Sequence, residues 1–147
     1  MSGTAMHLTF ADAAIGQHLA RLVQLDAGHF GAIKREVGEF MVADIQDNMD
    51  GQKLFDGRAM PQSLAAIKRT GKTLIKDHHL YDSYVYQAVD QGIELGSEKV
   101  YARIHHEGGM AGRGHKTKIV ARPVMGMGMR QERGLGDLML AELRALQ

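Results

Sequence analysis

The octapeptide Ala66-Ile67-Lys68-Arg69-Thr70-Gly71-Lys72-Thr73 satisfies the relaxed pattern of a phosphate-binding loop. Such a loop wraps backbone N–H groups around phosphates, and it does so between a buried strand and a long helix. Here Met60-Pro61-Gln62-Ser63 precedes it, which is not a buried strand, and Leu74-Ile75-Lys76-Asp77-His78 follows without a long helical stripe. The context a nucleotide site needs is missing. Eight histidines offer a second chemistry. His78-His79 and His105-His106-Glu107, with His115 nearby, carry the imidazoles and carboxylate a divalent metal would take. Neighbouring histidines on a strand point to opposite faces, however, and no His-x-x-x-His pair is present. Histidines that cap element ends or pack beside tyrosines are the expectation. Ser83 and Ser97 lack a Gly-x-Ser-x-Gly elbow, and Tyr81, Tyr84, Tyr86 and Tyr101 read as core or interface residues. No enzyme chemistry is expected.

The elements that must position these residues follow from periodicity. His7–Phe10 alternates like a short strand, and Asp12 can cap a helix carrying Ile15, Leu19, Leu22 and Val23. Phe30, Ile33, Val37, Phe40, Met41, Ile45 and Met49 then mark a long amphipathic helix, with Lys34, Arg35, Glu36, Asp44 and Asp47 off the stripe. Asn48, Asp50 and Gly51 supply its stop and turn chemistry. Pro61 suits the start of a short helix through Leu64 and Ile67. Tyr84–Val89 and Ile93–Leu95, separated by Asp90-Gln91-Gly92, read as a hairpin.

Lys99–Glu107 predicts a helix, and Gly108–Lys116, with four glycines, an exposed mobile loop. Lys118–Val124 predicts a last strand, which Pro123 confines to an edge or its end. Met125–Gly136 is again glycine-rich, and Leu138, Leu140, Leu143 and Leu146 mark a C-terminal helix. The pattern is α+β: N-terminal helices, one of them long, on a small and mainly antiparallel sheet, with a C-terminal helix. No internal repeat or boundary divides residues 1–147, so one domain is expected.

Composition narrows the classes. A chain of 147 residues buries about 68–70% of its unfolded surface, enough for a self-sufficient core. The absence of cysteine removes disulfides, thiolate zinc sites, iron–sulfur clusters and thiol nucleophiles. No apolar run approaches the ~20 residues of a membrane span, and Met1–Ala5 shows no secretory signal, so an intracellular chain off the membrane is expected. The net charge of +1 conceals an asymmetry. Residues 99–133 hold eight Lys or Arg against two acids, giving +6, while the remainder holds ten against fifteen, giving −5. Oppositely charged parts suit nucleic-acid binding or head-to-tail self-association.

Three segments in fixed order carry a resemblance. Leu74–Ser83 runs from Leu-Ile to Leu80-Tyr81-Asp82-Ser83; Val100-Tyr101-Ala102-Arg103-Ile104-His105-His106-Glu107-Gly108-Gly109 follows Leu95-Gly96-Ser97; Val120-Ala121-Arg122-Pro123-Val124-Met125-Gly126 comes last. In combination these resemble the phage virion morphogenesis family of tail-completion proteins, over most of the chain. Where such proteins usually carry a Pro-Asp-Gly and a tryptophan, Phe55-Asp56-Gly57-Arg58-Ala59-Met60-Pro61 has the Asp-Gly but no tryptophan.

The resemblance implies a structural protein that finishes the tail and prepares it for joining to the head. It implies no catalytic residue, cofactor or metal. It places assembly or structural roles on Tyr101, Ala102, Ile104, His105, Gly108, Gly109, Arg122 and Pro123. Tyr101, Ala102 and Ile104 would fix a helix on the sheet, and Gly108 and Gly109 would turn the chain sharply. Arg122, held extended by Pro123, would reach a carboxylate or backbone carbonyls in its own chain or a neighbour. Arg113, Lys116 and Lys118 become candidate interface residues. The expected partners are tail and head or neck proteins and further copies of the chain, as a homo-oligomer or ring, in the host bacterial cytoplasm or the virion. A nucleic-acid-binding module using the basic loop 108–118 is the alternative, though base stacking has no tryptophan to work with.

Overall fold

The computed structural model describes residues 3–9 and 27–145 of the chain. The helix expected after Asp12 lies outside those residues. β1 (Ala5–Thr9) is followed by α1 (Ala27–Asp50), a short α2 (Leu64–Lys68), and the hairpin β2 (Tyr84–Val89) and β3 (Gly92–Ser97). Then come α3 (Ala102–Glu107), β4 (Gly109–Ala111), β5 (Thr117–Ile119) and α4 (Met129–Ala145). The expected α+β arrangement is what the chain adopts.

α1 forms because its apolar residues recur at four-residue steps. Ile33, Val37, Met41, Ile45 and Met49 make one buried face, each burial contributing about 1.5–3 kcal/mol by apolar transfer. That face packs on an antiparallel sheet of order β1-β3-β2, against Tyr84 of β2 and Ile93 and Leu95 of β3. The hairpin turns on two residues, Asp90 and Gln91, so Gly92 opens β3 instead of belonging to the turn. Lys34 on α1 donates to the carbonyls of Val89 and Asp90, which fixes the hairpin's end to the helix.

Several boundaries depart from the sequence expectation, each for a reason visible in the hydrogen bonds. The short helix is capped by Ser63, whose Oγ accepts from Ala66 N–H at 3.1 Å; Pro61 lies two residues ahead of that cap. The helix expected from Lys99 begins only at Ala102, because Ser97 Oγ takes the Lys99 N–H and the Lys99 carbonyl takes that of Ala102. Gly108–Lys116 is not a bare loop. Gly109–Ala111 pairs antiparallel with Thr117–Ile119 as a separate two-stranded ribbon, Met110 facing Lys118. The last strand therefore ends at Ile119, and Pro123 lies beyond it.

The glycine-rich stretch 125–136 holds the largest departure, since α4 begins at Met129 and runs through two glycines. A Cβ on Gly134 would come 2.4 Å from Phe40 Cζ, so the missing side chain admits the α1 aromatic. Close packing between α1 and α4 outweighs the poor helix propensity of glycine, about 1 kcal/mol per residue.

Asp44, expected on the solvated side of α1, is 5% exposed. Its Oδ1 takes Arg130 Nη1 at 2.5 Å and its Oδ2 takes Gln131 Nε2 at 2.9 Å. Asn48, expected as stop chemistry, is likewise buried. It accepts from Arg130 Nη2 at 2.8 Å and donates to the Val124 carbonyl at 3.0 Å. A carboxylate inside a core survives when it is paired and hydrogen-bonded, and Arg130, Gln131 and Asn48 supply three donors to this one while tying α4 and Val124 to α1.

Candidate assembly groove

The segments that carry the family resemblance meet at one groove of about 580 Å³. Its walls are α2 with the residues before it, the segment from Leu74 to Leu80, the ribbon strand β5, and Tyr101 and His105 of α3. Leu64, Tyr101 and Val120 open onto it and remain 76%, 39% and 45% exposed. Apolar side chains so exposed around one concavity are the usual mark of a contact surface.

Arg122 forms part of the groove lining, yet the residue is only 6% exposed. Its guanidinium donates from Nε to the Pro61 carbonyl at 2.6 Å, from Nη1 to the Val120 carbonyl at 3.1 Å and from Nη2 to the Gln62 carbonyl at 3.4 Å. Its backbone N–H donates to the His105 carbonyl at 2.8 Å. One residue thus joins the loop before α2, the end of the ribbon and α3. Every acceptor is a backbone carbonyl of its own chain, and among the described residues no carboxylate pairs with it. Burial lowers its pKa from the ordinary arginine value. The side chain stays charged, so the groove keeps a positive centre. Pro123 continues the stitching, since its carbonyl accepts from Phe55 N–H at 3.0 Å.

His105 stands between Arg122 and Tyr101. Its ring meets the Tyr101 ring edge-on, centroids 6.1 Å apart, one helical turn along α3. Nδ1 of His105 and Nδ1 of His106 are buried and make no hydrogen bond among the described residues. Burial lowers both pKa values, and the Arg122 charge lowers that of His105 further, while Glu107 opposes the shift at His106. His78 in turn meets Tyr81 edge-on at 5.3 Å. Among the described residues no three His, Asp or Glu side chains converge on a metal-sized centre.

The three residues expected to fix α3 on the sheet separate. Ala102 is fully buried in the core that holds Ile93 and Leu95, and Ile104 is half-buried. Tyr101 turns outward to the groove, because it stands at the helix N-cap one position from Ala102. Gly108 caps α3 with φ +77°, and a Cβ there would come 2.9 Å from the Ala121 backbone nitrogen. Only glycine fits both the left-handed conformation and that approach. Gly109, at φ +145°, then opens β4.

The basic candidates also separate. Lys118 lines the groove with Arg69 and Lys76, opposed by Asp77. Arg113 and Lys116 lie on the exposed connection between β4 and β5 and do not line it. Gly71-Lys72-Thr73 follows the five-residue α2 and leads into no helix. Lys72 Nζ donates to the Asp50 carbonyl at 2.8 Å, and the buried Thr73 accepts on Oγ1 from Ser63 N–H.

Sequence reasoning missed the Asp44–Asn48–Arg130–Gln131 network and the serine pair beneath the hairpin, Ser83 Oγ to Ser97 Oγ at 2.6 Å. The signal for the first was present: Asp44 and Asn48 are four residues apart, beside the buried positions 41, 45 and 49. Nothing in the sequence marked the second.

Comparison with known proteins bears on the same residues. The model of the phage virion morphogenesis family matches residues 11–144. The chain is 31% identical over 107 residues to the Mu-like prophage FluMu G protein 2 of Haemophilus influenzae (strain ATCC 51907 / DSM 11121 / KW20 / Rd). That match covers 73% of this chain and 72% of the relative. No solved structure matches.

Proposed function

The chain belongs to the phage virion morphogenesis family, and from that premise we propose that it completes the tail and helps join it to the head, by surface contact and without bond-making chemistry. The observation that carries this reading is the groove around Arg122. Exposed Leu64, Tyr101 and Val120 surround a cation that donates three hydrogen bonds to its own backbone, with Arg69, Lys76 and Lys118 alongside. Such a surface takes an apolar segment flanked by carboxylates from another virion protein: burial supplies the affinity, and the cations orient the encounter. Assembly in the host cytoplasm, with retention in the tail or neck, accords with this role.

Particles assembled with Leu64→Asp or Val120→Asp test the reading by electron microscopy. Full heads beside unjoined tails are expected, as when the protein is left out. Infectious particles at normal yield, from either variant or without the protein, overturn it.

One observation favours a second reading. Residues 108–118 hold Arg113, Lys116 and Lys118 and no acid, and the ribbon that carries them is exposed. A double-stranded DNA contact there would weaken steeply with salt, by about one unit of log–log slope per phosphate neutralised. Binding without that slope discards it.

A further inference from the structure

Among the described residues β2 is an outer strand, since the sheet order β1-β3-β2 leaves one of its sides unpaired. Its register with β3 runs without a break from Tyr84↔Ser97 to Val89↔Gly92, so no bulge twists the edge away. Ser97 N–H donates to Thr4, on the β1 side of β3. Antiparallel ladders alternate, so Val85, Gln87 and Val89 spend their backbone groups on β3. Tyr84, Tyr86 and Ala88 turn theirs to the open side.

Natural edge strands are blunted by charge, proline, bulges or brevity. Tyr84-Val85-Tyr86-Gln87-Ala88-Val89 has no charge and no proline, and it is six residues long. Val85 is 57% exposed, and Gln87 and Ala88 are exposed as well. α1 covers one face of the strand, where Tyr86 packs against Gly38, and Lys34 holds its far end. The strand is therefore held to α1 with its edge left open among the described residues.

We propose that this edge pairs with the same edge of a second copy, β2 against β2, about a twofold axis through Tyr86. The strand is self-complementary in that register. Tyr86 faces Tyr86, Tyr84 faces the second copy's Ala88, and every outward N–H meets an outward carbonyl. No like charges meet within the strand, and each Val85 is covered beside the second copy's Gln87. The resulting continuous sheet has three strands from each copy. This contact uses no groove residue and stands apart from the assembly reading above.

Sedimentation equilibrium of the purified full chain tests it. Ala88→Pro removes an outward N–H and leaves the ladder to β3 intact; Val85→Lys brings charge to the edge. The wild-type chain is expected to show a monomer–dimer equilibrium, and each variant to weaken it more than tenfold with unchanged circular dichroism. Leu64→Asp, in the groove, should dimerise as the wild type does. Should Ala88→Pro fail to fold, the dimerisation of Val85→Lys decides the matter by itself. A wild-type chain monomeric at high concentration, an oligomer insensitive to the edge variants, or a dimer lost in Leu64→Asp overturns the proposal.

Discussion

Arg130 Nη1 stands 2.5 Å from Asp44 Oδ1, an ion pair in which the carboxylate is buried and the guanidinium half in water. It joins the C-terminal third of the long helix to the first turn of the last. The two partners do not stand to lose equally. Arg130→Ala should cost about 3 kcal/mol, since it leaves a buried carboxylate without its cation. Asp44→Ala should cost about 1 kcal/mol less, because the half-exposed guanidinium turns to water and keeps Asn48, and Gln131 keeps the Phe55 carbonyl. Urea unfolding of the two variants checks the order; equal losses would deny the asymmetry.

Arg122 acts through a fork that meets three carbonyls from two segments. Arg122→Lys should fail to restore stability lost in Arg122→Ala, because an ammonium cannot span those acceptors in one plane. Both variants should lose about 2–3 kcal/mol in denaturant titration, the range for leaving buried polar groups unanswered. A lysine variant as stable as the wild type would show that charge alone suffices.

The two histidines of α3 give the fold an acid sensitivity. Their pKa values lie below 6.5 in the folded chain, so above that pH both states are neutral and the stability is complete. As pH falls through 6.5 the unfolded chain binds protons first, and stability is lost until the folded values are passed. The urea midpoint should therefore drop between pH 7.5 and 5.5. The drop should shrink in a His105→Gln, His106→Gln double variant, and an unchanged pH slope would contradict the assignment.

Gly108→Ala should destabilise by at least about 1–2 kcal/mol, the cost of a left-handed conformation for an L-residue. The contact with the Ala121 backbone adds to it, since neither side can move without shifting the ribbon. Thermal melting of the variant checks this. Gly57→Ala is the control: φ is +88° there too, but nothing crowds its Cβ position, so its loss should be smaller.

Periodicity and turn chemistry are local, and what they encode was legible in the sequence: α1 as a single amphipathic stripe, the β2–β3 hairpin, the C-terminal helix and the α+β class. The ordered blocks that carry Gly108-Gly109 and Arg122-Pro123 pointed to the family. What tertiary structure alone decided depends on partners far along the chain. Asp44 is buried because Arg130 and Gln131, more than eighty residues later, answer it, and α4 runs through Gly134 because Phe40 fills the space left there. Gly109–Ala111 becomes a strand only through Thr117–Ile119, and Arg122 turns to carbonyls only because Pro61 and Gln62 pass beside it. Proline aside, a residue's own propensity is worth about 1 kcal/mol at most, whereas a buried polar group left without its partner costs about 1–3, so the distant partner prevails.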